Sequence, residues 1–290
     1  MHNFVIYPNF QKPNALTCAI EACVRLHRLG GKIRTDRSHQ KYFSSLEYVE
    51  YGDFSVLAQE AEAVIAIGGD GTLLRCAKEM IGSRSLLLGV NTGHMGFMTG
   101  LEATQLNELE NLFCGEYFRS RRMLLEAVLK QEERNLHFLA LNDIVVSGFY
   151  GKVFPFSVMA NESLIGQYRA DGIVCSTPTG STAYALSAGG PLMEPELSCI
   201  ELTLICPHSL FNRPLLLSAE RTVTIRHTAD PERPIYISAD GEHPVLFQPE
   251  DSLEIRKSGH TVTIIGMRES GFFDSVNQKL MQSIKGFSEK

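Results

Sequence analysis

The chain lacks any apolar run near the ~20 residues that a bilayer-spanning helix needs, so no such helix is expected. Its first residues, MHNFVIYPNF, lack a basic segment followed by a long apolar stretch, so no secretory signal is expected either. Positive charge is in deficit. With 27 Lys and Arg against 33 Asp and Glu, the net charge is −6, which argues against a nucleic-acid partner or an anionic membrane surface. Cysteine pairs at metal or redox spacing are missing. Seven cysteines are scattered, and the closest pairs, Cys18/Cys23 and Cys199/Cys206, are not C-x-x-C. They read as small core residues in a reducing compartment, the cytoplasm. Nine histidines form no i, i+4 pair and no H-E-x-x-H, so no protein-held metal is expected. Internal repeats and low-complexity segments are absent too.

What remains is 290 residues, 44% hydrophobic and 21% charged, the composition of a globular protein of about two domains. The first part alternates strand and helix. FVIYP (4–8) is a short strand stopped by Pro8. Leu16, Ala19, Ile20, Cys23, Val24 and His27 follow at helical spacing up to Gly30-Gly31. KIRTD reads as a second strand, and Asp53 as the cap of a helix through Glu62. AVIAI (63–67) is apolar throughout, as in a parallel strand covered on both faces. A helix face of Leu73, Leu74, Ala77, Met80 and Ile81 follows, then a strand at 85–91 and a helix at 103–114. Such βα units predict an open parallel sheet.

From about Arg121 the period changes. RRMLLEAVLK and LHFLALNDIVVS flank QEERN as a hairpin. Short β-rich runs follow: VFPFSVMAN, IGQYRA, GIVCSTP, ELTLIC, RTVTIRH, PIYISA, DSLEIRK and TVTIIGM. Their Gly, Pro and Asp punctuation predicts an all-β domain with one helical insertion at about 181–188, and HTADPERP (227–234) reads as a surface turn. The division expected is 1–118 for the α/β domain and 119–268 for the β-rich domain. A final helix within 269–290 is expected to return to the first domain.

Gly68-Gly69-Asp70-Gly71 closes the apolar strand at 63–67. The motif is neither G-x-x-x-x-G-K-[ST] nor a full G-x-G-x-x-G, so P-loop and dinucleotide fingerprints are both absent. One reading makes Asp70 a helix cap in an ordinary glycine turn. The other makes the helix start, near Thr72, a phosphate site, with Asp70 accepting a proton from an attacking hydroxyl. Further along, GQYRADGIVCSTPTGSTAYALSAGGP (166–191) crowds hydroxyls, glycine and proline together. Asp171-Gly172 is a hairpin-turn signal, and the rest could bind a polar ligand or be a loop before a helix.

GGDGTLL at 68–74, NTGHMGF at 91–97, LND at 141–143 and DGIVCSTPTGSTAYALSAGGP at 171–191 together resemble NAD kinase, in that family's order and over most of the chain. GGDG alone also occurs in diacylglycerol and sphingosine kinases; the long TPTGSTAY segment separates NAD kinase from them. The resemblance implies a Rossmann-like α/β domain, a β-rich, β-sandwich-like domain and an active site between them. It implies transfer of the ATP γ-phosphate to the adenosine ribose 2′-hydroxyl of NAD, giving NADP, by a homodimer or homotetramer. By that resemblance Asp70 is the proton acceptor, Gly71 lies beside the nucleotide with Gly68 and Gly69 in the same turn, and Phe97 packs on adenine. Asn142 and Asp143 match a pair that holds NAD, with aspartate where many members carry glutamate. Arg169 and Asp171 match positions near the nicotinamide ribose. Thr182, Ala183, Tyr184 and Ser187 match the helix start that grips NAD. Asp240 and Glu242 match a late loop more loosely. Arg75 and Lys152 are two cations, each either on the phosphates or simply solvated. His94 sits in a glycine turn, as a ligand contact or a structural residue. The metal expected is Mg²⁺ carried in with ATP. The competing readings are a lipid or sugar kinase sharing only the GGDGT turn, and a non-catalytic NAD-sensing module.

Overall fold

A computed structural model describes all residues except 94–95, 210–212, 231–232, 269–270 and 286–290, and all their side chains except those of 150 and 279–285. The chain divides into two units, Met1–Arg121 with the chain from Val262 onward, and Arg122–Thr261.

The first unit is built on parallel strands. β1 (Asn3–Pro8), β2 (Lys32–Asp36), β3 (Val49–Gly52), β4 (Ala63–Gly68) and β5 (Leu86–Asn91) lie in the order β3-β2-β1-β4-β5, every neighbouring pair parallel. β4 and β5 are buried along their whole length, which is why their sequences are apolar without alternation. Helix α1 (Ala15–Arg28) buries Ala15, Cys18, Ala19, Ala22, Cys23 and Leu26, one stripe at helical spacing, against Phe4, Ile6 and Ile65. Asp53 caps α2 (Phe54–Glu60) by accepting from the Ser55 amide. Helix α3 (Asp70–Glu79) follows β4 directly. The helix expected at 103–114 is a 3₁₀ stretch, Ala103–Glu110, and a single turn α4 (Asn111–Cys114), preceded by a two-residue strand β6 (Leu101–Glu102).

The second unit is two antiparallel sheets around one core. β7 (Phe118–Lys130) and β8 (Asn135–Ala140) form the hairpin expected at QEERN, closed by the Gln131 amide donating to the Arg134 carbonyl, 3.1 Å. β9 (Asp143–Gly148) then enters the other sheet. β10 (Phe154–Ala160), β11 (Ser163–Ala170), β12 (Gly172–Ser176), a one-turn helix α5 (Tyr184–Ser187) and β13 (Cys199–Ile205) follow. Then come β14 (Leu215–Ser218), β15 (Val223–His227), β16 (Ile235–Ala239), β17 (Val245–Phe247) and β18 (Ser252–Gly266). One sheet joins β11, β10, β15, β18, β7 and β8; the other runs β14-β13-β12-β9-β16-β17. Phe154, Val158, Ile225 and Leu253 of the first pack with Ile144, Val146, Ile173 and Ile237 of the second, the buried arrangement of a sandwich.

Sequence and structure differ at several places. DSLEIRK and TVTIIGM are one strand, β18, because Ser258-Gly259 does not interrupt the ladder. Asp171-Gly172 is not a hairpin: β11 pairs with β10 and β12 with β9 and β13, so the chain changes sheets there. β14 and β17 are short strands outside the β-rich runs read from the sequence. The final helix, α6 (Gly271–Lys285), belongs with the first unit. The HTADPERP turn includes residues 231–232, outside the described residues.

Candidate functional site

In the first unit, α3 starts at Asp70 itself, two residues before the position expected, with Gly69 extended at its N-cap and no side-chain cap. Asp70 is therefore not the helix cap. Its carboxylate turns away from α3 and accepts from the amides of Phe97, 2.7 Å, and Met98, 3.1 Å. Each carboxylate oxygen keeps a lone pair for a further donor. Gly96 makes this possible, since a Cβ there would lie 2.0 Å from Asp70 Oδ1. GGDG and NTGHMGF, distant in sequence, thus interlock. The Thr92 amide donates to the Gly68 carbonyl, 2.7 Å, and Asn91 accepts from the Gly93 amide, 3.2 Å, while its Nδ2 donates to Glu102, 2.8 Å. Glu102 is held above the usual carboxylate range by burial and by the nearby Asp70 charge, against the Asn91 hydrogen bond. Gly71 is exposed, with open space where a side chain would stand. Phe97 is half-buried. Arg75 lies in the second turn of α3 and is exposed. His94 lies outside the described residues.

In the second unit, Leu141-Asn142 is a sharp corner between β8 and β9, so LHFLALNDIVVS is two strands and not the single hairpin arm expected. The flanks are apolar because both strands enter the same core. One side chain holds the corner: Asp240 accepts from the amides of Leu141, 3.0 Å, Asn142, 2.8 Å, and Asp143, 3.1 Å. The Asp240 amide in turn donates to the Asp143 carbonyl, 2.9 Å. From the other side Thr177 donates its hydroxyl to the Leu141 carbonyl, 2.5 Å, and its amide to the Asn142 carbonyl, 2.8 Å. Gly180 presses on the same point, where a Cβ would lie 2.2 Å from the Asn142 carbonyl oxygen.

This frame leaves two polar groups waiting. Asn142 Oδ1 is buried without a hydrogen-bond partner. Asp143 is 4% exposed and its carboxyl is pushed up to about 7, first by burial, then by the Asp240 charge, while the Tyr184 amide pulls it down. A buried acceptor without a donor is costly, so Asn142 Oδ1 invites a ligand hydroxyl or amide, and the Asp143 carboxyl, reached by one amide, has capacity for a further donor.

The loop after β12 adds the next residues. Thr182 ends a 3₁₀ turn begun at Thr179 and donates to the Thr179 carbonyl, 3.2 Å. Ala183 links that turn to α5, where Tyr184 and Ser187 are exposed. Arg169 is exposed on β11 and its carbonyl accepts from the His208 amide, 2.8 Å. Asp171, half-buried at the change of sheets, accepts at its carbonyl from the Gly148 amide, 2.9 Å. Lys152 and Glu242 are exposed. The sequence-derived residues thus fall into two constellations, one around Asp70 and one around Asn142-Asp143, in separate units.

Sequence reasoning missed Gly96, Gly180 and Arg122, and took Thr177 only as one of the crowded hydroxyls of 166–191. Gly96 and Gly180 stand in quoted motifs, but glycine there signals only after the contact is seen. Arg122 is buried beside Thr179, to which its Nη1 donates at 3.4 Å, and burial lowers it to about 10. Among the described residues no three His, Cys, Asp or Glu side chains converge to hold a metal.

Two family models match: the ATP-NAD kinase N-terminal domain over residues 20–117 and the ATP-NAD kinase C-terminal domain over residues 141–267. An NAD kinase of Symbiobacterium thermophilum is 34% identical over 288 residues, covering 97% of this chain and 99% of its own. One from Citrifermentans bemidjiense is 33% identical over 285 residues, covering 97% and 98%. Among solved structures, yeast NADH kinase complexed with NADH has a TM-score of 0.88 at 22% identity, over 100% of this chain and 89% of the other. An NAD kinase from Archaeoglobus fulgidus in complex with ATP has a TM-score of 0.70 at 24% identity, over 96% and 99%. At those identities the structures speak for the fold.

Proposed function

The chain belongs to the ATP-NAD kinase family, and from that premise we propose how its residues perform the reaction. The γ-phosphate of ATP passes to the 2′-hydroxyl of the adenosine ribose of NAD, giving NADP and ADP. The bond from the γ-phosphorus to the β,γ-bridging oxygen breaks, the ribose oxygen forms the new P–O bond, and its proton goes to Asp70. One observation carries this assignment: the Asp70 carboxylate is fixed by two backbone amides at the glycine turn, with its remaining lone pairs free for a hydroxyl. A carboxylate pinned in that way orients an attacking oxygen without reorganising, which positional catalysis requires. Gly71, in the first turn of α3, has open space where a side chain would stand, and a helix start of this kind suits an incoming phosphate.

Asn142 and Asp143 hold NAD, the free Asn142 Oδ1 and the Asp143 carboxyl taking hydrogen bonds from ribose hydroxyls or amide donors. Phe97 lies against adenine. Thr182, Ala183, Tyr184 and Ser187 line the nucleotide, and Arg169 and Asp171 serve its nicotinamide end. Asp240 serves by building the Asn142-Asp143 corner rather than by touching ligand. Mg²⁺ enters as the MgATP substrate, held by the phosphates. The working form is a homodimer or homotetramer in the cytoplasm, a compartment in keeping with seven free cysteines. A lipid or sugar kinase sharing only the glycine turn does not account for likeness over 97% of the chain. An NAD sensor needs no fixed carboxylate at Asp70.

The test is NADP formation by the purified protein from ATP and NAD, beside NAD lacking the adenosine 2′-hydroxyl. The deoxy compound binds and gives no phosphorylated product by mass spectrometry. Product from it would move the reaction to another hydroxyl.

A further inference from the structure

The loop that grips Asp70 starts at Asn91, the last residue of β5, and ends at Glu102, the last residue of β6. Strand register sets Gly68, Asn91 and Glu102 side by side across β4, β5 and β6. The row lies at the carboxyl ends of parallel strands, the end outside which ligands bind in open α/β sheets.

Asn91, in the middle of the row, is 1% exposed, and its carboxamide works in both senses. Oδ1 accepts from the Gly93 amide, 3.2 Å, and Nδ2 donates to Glu102 Oε2, 2.8 Å. The same carboxamide stands beside the glycine turn, since a Cβ on Gly69 would lie 3.9 Å from Asn91 Oδ1. Glu102 is fixed in turn, its amide donating to Gln105 Oε1, 2.9 Å. Burial raises the Glu102 carboxyl, the Asn91 bond lowers it and the Asp70 charge raises it again, so the two acids are neighbours.

The Asn91–Glu102 bond thus joins the two ends of one loop, residues 11 apart. Between those ends lie the Phe97 and Met98 amides that hold the Asp70 carboxylate. Closing a loop at its base removes conformations that its amides would otherwise explore. On the phosphotransferase reading above, on which this rests, we propose that Asn91 and Glu102 are positioning residues: their hydrogen bond sets where the Phe97 and Met98 amides hold Asp70 for the attacking hydroxyl. Neither residue acts on substrate; both act through Asp70.

The test reverses the pair. Asn91→Asp sets two carboxylates face to face and removes the donor. Adding Glu102→Gln restores the bond with donor and acceptor exchanged. Asn91→Asp lowers kcat by about 10² and shifts KM for ATP less than about threefold. Glu102→Gln alone still accepts from Asn91 and lowers kcat less than about threefold. The double variant returns to within about fivefold of the wild type. In an Asp70→Asn background, Asn91→Asp lowers turnover less than about threefold further, whereas a purely structural loss would add in full. Hydrogen exchange read by mass spectrometry quickens over the peptide holding Phe97 and Met98 in Asn91→Asp and slows again in the double variant. The pair does not position Asp70 if kcat survives Asn91→Asp, if the double variant stays as slow as the single one, or if Asn91→Asp costs as much without the Asp70 carboxylate as with it. Should Asn91→Asp fail to fold, Glu102→Ala decides: a kcat lowered about tenfold supports the pair, and an unchanged kcat overturns it. If the wild type makes no NADP, the kinase reading fails, and exchange still decides the pair. Faster exchange over Phe97 and Met98 in Glu102→Ala then supports it, and unchanged exchange overturns it.

Discussion

Two aspartates invite comparison, one in each unit. Asp70 is half-buried, and two amides grip its oxygens from a loop 27 and 28 residues away. Asp143 is almost wholly buried, one amide reaches it, and a second carboxylate stands nearby. The same side chain is thus set up for two tasks. Amide donors with an open side make a fixed acceptor for a reacting proton. Burial beside another acid makes a group that is costly to charge until a ligand supplies donors. The lesson is that the neighbours of a carboxylate, more than its place in a motif, assign its work.

The largest way to break the comparison is Asp70→Asn. The shape stays and the basicity goes, so turnover falls by about 10²–10⁴ while NAD affinity stays close to normal. Measuring kcat apart from NAD binding decides; near-normal turnover would return Asp70 to a purely structural part. Gly96→Ala comes next. It leaves Asp70 in the sequence but drives a methyl group into the space of its carboxylate. Turnover falls by about 10², with a smaller loss of thermal stability, because misplacing a catalytic group costs on that order. A variant with full activity would show that the clamp on Asp70 is dispensable.

Asp240→Ala tests the frame of the other aspartate. Three backbone amides lose their acceptor, so stability in urea falls by about 2–4 kcal/mol, and KM for NAD rises with it. Unchanged stability would mean that the corner stands without Asp240. A last test sharpens Asp143 itself. Its folded pKa, about 7, is raised above the ordinary value of 3.8, so the native state holds this proton more tightly than the unfolded chain. The contribution to stability is full below pH 3.8 and is lost as pH rises through about 7. Relative to Asp143→Asn, the wild type therefore loses stability from about pH 4 to pH 7 and no further above that. Denaturation midpoints of both proteins across pH 4–8 check this, and a constant difference would remove the claim that Asp143 is strained by burial.

Much of the fold was legible from local pattern. KIRTD became β2 with the boundaries read from it, and Asp53 became the cap of α2, because these depend on neighbouring residues alone. The failures share a cause. Asp171-Gly172 carries a hairpin signal, yet β11 and β12 find partners in different sheets, and partner choice is a long-range matter. The 103–114 segment has helical spacing, but its residues settle into a 3₁₀ stretch with a non-helical Gln105. Of the candidate site, the motifs marked the right segments, while the parts played by Gly96, Thr177, Gly180 and Asp240 were hidden, since each acts on a residue far along the chain.

By itself the sequence determined the parallel α/β unit, the β-rich unit and the family. Those follow from hydrophobic period, turn chemistry and contiguous motifs, all of which are local. Only the tertiary structure decided what each carboxylate meets. Asp70 could have capped its own helix, and it bonds instead to Phe97 and Met98 because Gly96 leaves room for it. Asp240 could have reached a ligand, and it holds the Leu141–Asp143 corner instead. A hydrogen-bond partner is chosen by position in space, and residues 27 or 97 apart along a chain become neighbours only when the sheets between them have formed.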